Sequence, residues 1–451
     1  MELGADTAAH ARRKRPLSAA ALCLALSGVL LLSAHAAIRF LSPRFEYGSD
    51  WSRRPIEAFV LLILIAGALY VMSVWSAHRI GTSRAALTWV ILVGAGLRAT
   101  MFFSAPILED DFYRYLWDGA VLAHGGNPYA YAPADLAEEF QPLARQSGPV
   151  IQRVNHPELR TIYPPVSQSF FALAHRLRPW SLRAWKAVLL GVDVAVVLLL
   201  LRLLNLLKLP RTWLVAYLWN PLAVKEVYNS THVDILVMPF VLAAVMLAIR
   251  ERYYWAALLL AFGVGAKLWP VVLAPILLRP LLARPRKLLL AALIFVLASG
   301  LLLAPLIAAG LNRTSGLNAY ARQWEMNDAF FMLVLWSAQS LMSHAAAGLA
   351  ARVVVGLLLI GWVGWLIRRR ATGPIELCDR CLLAGAGLFL LSPTQFPSYA
   401  FCFLPFLVFR PRPSLLLLTA LLPIYYLRFR YAAVDSAAAF DYRIVWLEYV
   451  P

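Results

Sequence analysis

Runs of about 18 or more mostly apolar residues recur from one end of this chain to the other, each long enough to cross the roughly 30 Å hydrocarbon core of a bilayer as an α-helix. That feature decides the class. Hydrophobic residues make up 61% of the chain and charged residues 15%, too few polar groups to cover a soluble domain of this length. The runs are continuous and rich in Leu and Ala rather than alternating, which argues against a β-barrel. No long polar stretch remains for a second domain. The expectation is an all-α polytopic membrane protein of about 11–13 transmembrane helices, with interfacial helices in its outer loops and residues 1–451 in a single integral membrane domain.

The net charge of +18 sits in short clusters between the apolar runs: Arg12–Arg15, Arg250 with Arg252, Arg284 to Lys287, and Arg368–Arg370. Lys and Arg distributed this way mark cytoplasmic loops, whereas a nucleic-acid face needs a contiguous basic surface with interleaved aromatics. Cys378 and Cys381 have CxxC spacing in an expected cytoplasmic loop but no second pair, so they read as ordinary thiols. The basic N-terminus followed by a long apolar run reads as an uncleaved first span rather than a signal peptide.

With Arg12–Arg15 inside, spans at about 17–41, 56–76 and 86–103 carry the chain to the outer face just before Glu109-Asp110-Asp111. Arg44, Arg53 and Arg54 in the first outer loop go against this charge pattern. Residues 105–183 form the first large extracytoplasmic loop. It contains an amphipathic stretch, Phe112–His124, expected at the interface with Tyr113 and Trp117 as anchors, and an apolar stretch, Val166–Leu177, too short to cross. Continuing by parity, Asn229–Asp234, Asn327-Asp328 and Gln395–Tyr399 also face outward. Lys267, followed by Pro270 and flanked by basic loops on both sides, belongs near the bend of a broken or re-entrant segment.

Three adjacent carboxyls beside a bilayer are expensive, and ionisable groups in such places mark functional sites. Convergence of separated polar motifs on one face points to one site. A carboxylate there can accept the proton of an acceptor hydroxyl attacking an anomeric carbon, and mutual repulsion keeps one acid protonated to higher pH. A donor carried on a lipid phosphate needs cations, for which Lys267, Arg160 and Arg114 are candidates, with His232 as a further phosphate donor. The structural alternatives are a snorkelling lysine and a His232/Asp234 pair that caps the next helix. GxGxxG and P-loop patterns are absent, which favours a lipid-linked donor over a soluble nucleotide sugar. No cofactor is indicated beyond a divalent cation bridging Glu109–Asp111, for which spacing supplies no further ligand.

The ordered set Asp110-Asp111-x-x-Arg114-Tyr115-x-Trp117-Asp118-Gly119, Gly126-Asn127-Pro128-Tyr129 and Ile162-Tyr163-Pro164-Pro165 resembles bacterial polytopic glycosyltransferases of the GT-C superfamily. Within these it is similar to the polyprenyl-phosphate-mannose-dependent mannosyltransferases. The resemblance continues through Asn220-Pro221-Leu222, Lys225-Glu226, His232-Val-Asp234, Lys267-Leu-Trp-Pro270 and Asn327-Asp328, from about residue 105 to 400. It implies an inverting transfer without a covalent intermediate, on the extracytoplasmic face of a bacterial plasma membrane. Asp110 is the first choice of base, then Asp111 and Glu109. Substrate contacts would come from Arg114, Tyr115, Trp117, Asn127, Tyr129, Arg160, Tyr163, Glu226, His232, Asp234, Lys267, Asn327, Asp328 and Tyr399. The partners implied are a polyprenyl-phosphate sugar and a lipid, glycan or protein acceptor. Many relatives carry a His-Pro-Trp-Tyr-like run in the late outer loop, where this chain reads Phe396-Pro397-Ser398-Tyr399.

A transporter or lipid flippase is the rival class. It calls for polar residues strung through the bilayer, and Asp193 is the one plain mid-span acid.

Overall fold

The computed structural model describes residues 18–48, 50–135, 138–310, 312–368 and 373–449. The clusters Arg12–Arg15 and Arg369–Arg370 lie outside the described residues. The fold is 78% helical, with no strand among the described residues.

Among the described residues seven helices are long and apolar enough to span: Ala19–Phe45, Ile56–Ile80, Arg84–Phe102, Leu182–Leu206, Pro285–Ala308, His344–Arg368 and Pro413–Ala432. A broken pair, Pro221–Tyr228 with Val233–Ile249, bends by 100° and makes an eighth if taken as one span. The expected count of 11–13 exceeds this because several apolar runs form only short helices, such as Tyr253–Ala266, Trp269–Ala283 and Phe330–Gln339. Serine side chains cap three of these spanning helices, with Ser18, Ser83 and Ser181 each accepting a backbone N–H in the first turn.

The spans are joined by polar contacts whose burial leaves no water to compete. Ser73 Oγ donates to Ser27 Oγ at 2.8 Å between the first two helices. Arg98 Nε meets Asp193 Oδ2 at 2.5 Å, and Tyr217 and Tyr228 donate to the same carboxylate at 2.6 and 2.7 Å. Every oxygen of Asp193 is thereby occupied, so the mid-span acid is a closed structural cluster rather than a stop on a transport path. At one end of the bundle Thr212 Oγ1 donates to the Gly81 carbonyl at 2.6 Å and His78 stacks on Trp213. The turns bearing Arg79, Arg84, Lys208 and Arg211 therefore share one face, as their charges require.

Two expectations change. Trp117 on the Phe112–Ala123 helix is not an outward anchor: it is buried against Trp180, and Gly119 abuts the Phe171 carbonyl. Arg114 and Gln168 both donate to Asp118, at 3.0 and 3.1 Å, tying this helix to Pro165–Leu177. The Cys378/Cys381 pair is not in a loop but inside the helix Pro374–Leu391, buried and free. Lys267 falls where expected, capping the helix Tyr253–Ala266 at a break before the 3-10 turn at Trp269.

Candidate active site

Away from the basic turns, a cavity of about 1180 Å³ opens among residues from distant parts of the chain. Glu109, Asp110 and Asp111 line it together with His232, Asp234 and Lys267. The acids and Lys267, 156 to 158 positions apart in sequence, thus reach a common space.

The segment leading into the acids is held by buried amides. Asn229 Oδ1 accepts from the Ile107 N–H at 3.0 Å, while its Nδ2 donates to the Ala105 carbonyl and Ser104 Oγ at 2.6 and 2.8 Å. Lys186 donates to the carbonyls of Phe102 and Ser104. With this anchor fixed, Leu108 takes a left-handed backbone (φ 59°) and turns the three carboxyls into the cavity. Asn155 donates to Asp110 and lies 3.5 Å from Asp111. Burial, with the like charges of Asp111 and Glu109 adding to it and the Asn155 hydrogen bond opposing it, raises the Asp110 pKa to about 6.

A second strained residue, Thr231 (φ 63°), precedes His232. The imidazole stands between two carboxylates: Nδ1 is 2.7 Å from Glu226 Oε2, and Nε2 is 3.5 Å from Glu109 Oε2. Glu226 also accepts from Tyr426 at 2.6 Å, and Lys225 donates to Tyr426 and to Ser230. This network is buried directly behind Glu109, with Lys225 Nζ 3.9 Å from its carboxylate. On another wall Lys267 pairs with Asp234, its ammonium 3.9 Å from the Tyr399 ring centre. Tyr320 donates to the Tyr399 hydroxyl at 3.0 Å.

Of the residues singled out in the sequence, Arg114, Tyr115, Arg160, Tyr163 and Tyr399 also line the cavity. Two of these carry guanidiniums that are largely committed elsewhere. Arg114 holds Asp118 and the Leu159 carbonyl, and Arg160 holds the Ala309 and Gly310 carbonyls and Asn312. Trp117, Asn127, Tyr129, Glu226, Asn327 and Asp328 do not line it. Asn127 accepts from the Tyr129 N–H, and the Tyr129 hydroxyl donates to the Tyr163 carbonyl, so this pair shapes the turn behind Tyr163. Asn327 instead donates to Gln395 and to the buried Glu448. Burial raises the Asp328 pKa to about 7 and that of Glu448 well above the usual carboxylate range.

Missing from the sequence reading were Asn155, Arg153 and Arg54, which also line the cavity. Arg54 was legible in part: a basic residue in an outer loop breaks the charge rule, and here it lies where the Asp110 charge acts on it.

The family description "Alpha-(1->6)-mannopyranosyltransferase, N-terminal domain" matches residues 17–284, more than half of the chain. The chain belongs to this mannosyltransferase family. The match takes in the acid cluster, the His232 network and Lys267. Mannosyl transfer is accordingly the activity of an integral membrane protein, and it sets aside the transporter reading. No match is found among curated proteins or solved structures. Among the described residues no group of three or more His, Cys, Asp or Glu side chains is placed to hold a metal ion.

Proposed function

We propose that the protein moves a mannosyl residue from a polyprenyl-phosphate carrier to an acceptor hydroxyl in a single inverting displacement on the extracytoplasmic face. The acceptor oxygen attacks the anomeric carbon as the bond from that carbon to the phosphate oxygen breaks. Asp110 takes the hydroxyl proton, and the polyprenyl phosphate departs with the bonding electrons. If the linkage is the α-(1→6) one in the family description, the nucleophile is a primary hydroxyl.

One observation carries this reading: a carboxyl whose pKa is raised to about 6 lines the same cavity as the Lys267 ammonium. A base is most useful with a pKa near the working pH, and the ammonium stabilises charge developing on the leaving phosphate. Leu268, Trp269, Leu388 and Phe389 line the cavity too and offer an apolar wall for the first isoprene units. The basic turns at the other end of the bundle support an extracytoplasmic opening.

The test is transfer in detergent from labelled polyprenyl-phosphate mannose. Asp110→Asn is expected to lose about 10²- to 10⁴-fold in kcat while remaining folded, and the product linkage should have the anomeric configuration opposite to the donor's. Wild-type rates in both Asp110→Asn and Asp111→Asn, or direct use of a nucleotide mannose, would overturn the proposal.

A further inference from the structure

The cavity has a second built wall that the donor chemistry does not use. Tyr47, in the loop after the first span, and Tyr113, at the start of the helix behind the acids, pack edge-to-face with ring centres 5.7 Å apart. The Arg153 guanidinium lies 4.6 Å from the Tyr47 ring centre and 5.6 Å from that of Tyr113, and its Nη1 donates to the Tyr113 hydroxyl at 2.9 Å. Two residues further on, Asn155 donates to Asp110. Three segments distant in sequence thus set two aromatic rings and two polar donors beside the proposed base.

We propose that Tyr47, Tyr113, Arg153 and Asn155 form the acceptor subsite and receive the terminal mannopyranose ring of the acceptor. The inference rests on the mannosyl-transfer reading of the cavity. A pyranose presents a face of C–H groups suited to an aromatic ring and a rim of hydroxyls suited to guanidinium and amide donors. Asp110 and Asp111 line the cavity together with Arg54 and Arg153, so this part of it carries both signs of charge rather than a purely basic cradle for a phosphate. The phosphate-binding cation is Lys267, whose partners Asp234 and Tyr399 come from other segments. A primary hydroxyl projects from the ring on its own carbon, so a ring on Tyr47 can present it to Asp110 without leaving the platform. Tyr47 is 47% exposed, more than a residue serving only to clamp the 153–155 loop needs to be.

The experiment separates binding from turnover. Equilibrium binding of octyl α-mannopyranoside to the full-length protein is measured by saturation-transfer NMR without donor, and transfer to the same compound is measured with polyprenyl-phosphate mannose. Tyr47→Ala and Arg153→Ala are expected to weaken mannoside binding about tenfold and to raise its KM equally, with the donor KM within about twofold of wild type. Tyr47→Trp should retain binding, which separates loss of the platform from loss of fold. Binding that depends on Tyr47 in a protein without turnover would uphold the subsite and sink the proposed reaction. Unchanged mannoside binding and KM in folded Tyr47→Ala, or a shift in donor KM instead, would overturn the subsite.

Discussion

Nδ1 of His232 meets Oε2 of Glu226 at 2.7 Å, and the opposite ring nitrogen faces Glu109 at 3.5 Å. A carboxylate only accepts, so Glu226 fixes a proton on Nδ1 and with it the ring's orientation toward the acid loop. His232, expected from sequence as a phosphate donor, lines the cavity, and these two contacts also make it a strut against Glu109. Replacing Glu226 with Gln keeps the shape but removes the charge facing Lys225 at 3.5 Å. If the strut aligns the base, Glu226→Gln lowers kcat by about a hundredfold while the donor KM moves little. Steady-state kinetics beside a thermal melt checks this; a large change in KM with kcat intact would contradict it.

The pH dependence has a defined sign. As the proposed base, Asp110, with its pKa raised to about 6, works only when ionised, so activity is expected to rise with pH through that region and then level. Asn155 donates to the ionised form and opposes the rise. Asn155→Ala therefore moves the acidic limb to higher pH. Stability runs the other way: a carboxyl with a folded pKa above its unfolded 3.8 contributes stability below that value, lost as pH rises through about 6. Rate profiles and melts across the same interval should slope in opposite directions.

The Arg98–Asp193 pair bears on folding and not on turnover. Asp193→Asn leaves a buried guanidinium without its counter-charge, a change that costs about 3–5 kcal/mol. Chemical unfolding should show this loss while activity per folded molecule stays at the wild-type level. Lost turnover in fully folded protein would instead reopen a path through the bundle.

Two glycines make a packing test. A Cβ on Gly119 would stand 2.4 Å from the Phe171 carbonyl oxygen, and no flexible neighbour can move aside. Gly119→Ala is expected to destabilise by about 1–3 kcal/mol. Gly191 has open space around it in the helix Leu182–Leu206, and Gly191→Ala should be neutral or stabilise by up to about 1 kcal/mol. Melting temperatures of the two variants measure the contrast.

Residues that had to be polar inside an apolar chain were the legible part of this protein. The acids, His232, Asp234, Lys267 and Tyr399 stand out from hydrocarbon-compatible surroundings, and the charge rule put them on one face before any fold was known. Asn155 and Arg153 lie in a loop already rich in polar residues, where one more amide or guanidinium carries no contrast. Asn327-Asp328 carried contrast but went elsewhere, because Glu448 packs back against Asn327 from 121 positions away and no local pattern encodes that partner. Trp117 reads as an interface anchor by type. It is buried instead against Trp180, a partner in a later turn that no local pattern encodes.

The 100° bend between Pro221–Tyr228 and Val233–Ile249 has a consequence for where a sugar can be handled. A straight rod here would have sent its middle past the acids as a greasy wall. Folded at Asn229–His232, the segment encloses Asn229, Ser230 and Thr231 in the protein and brings His232, Val233 and Asp234 to the cavity wall. A sugar entering the cavity therefore meets His232 and Asp234 at the bend rather than the apolar flank of a continuous helix.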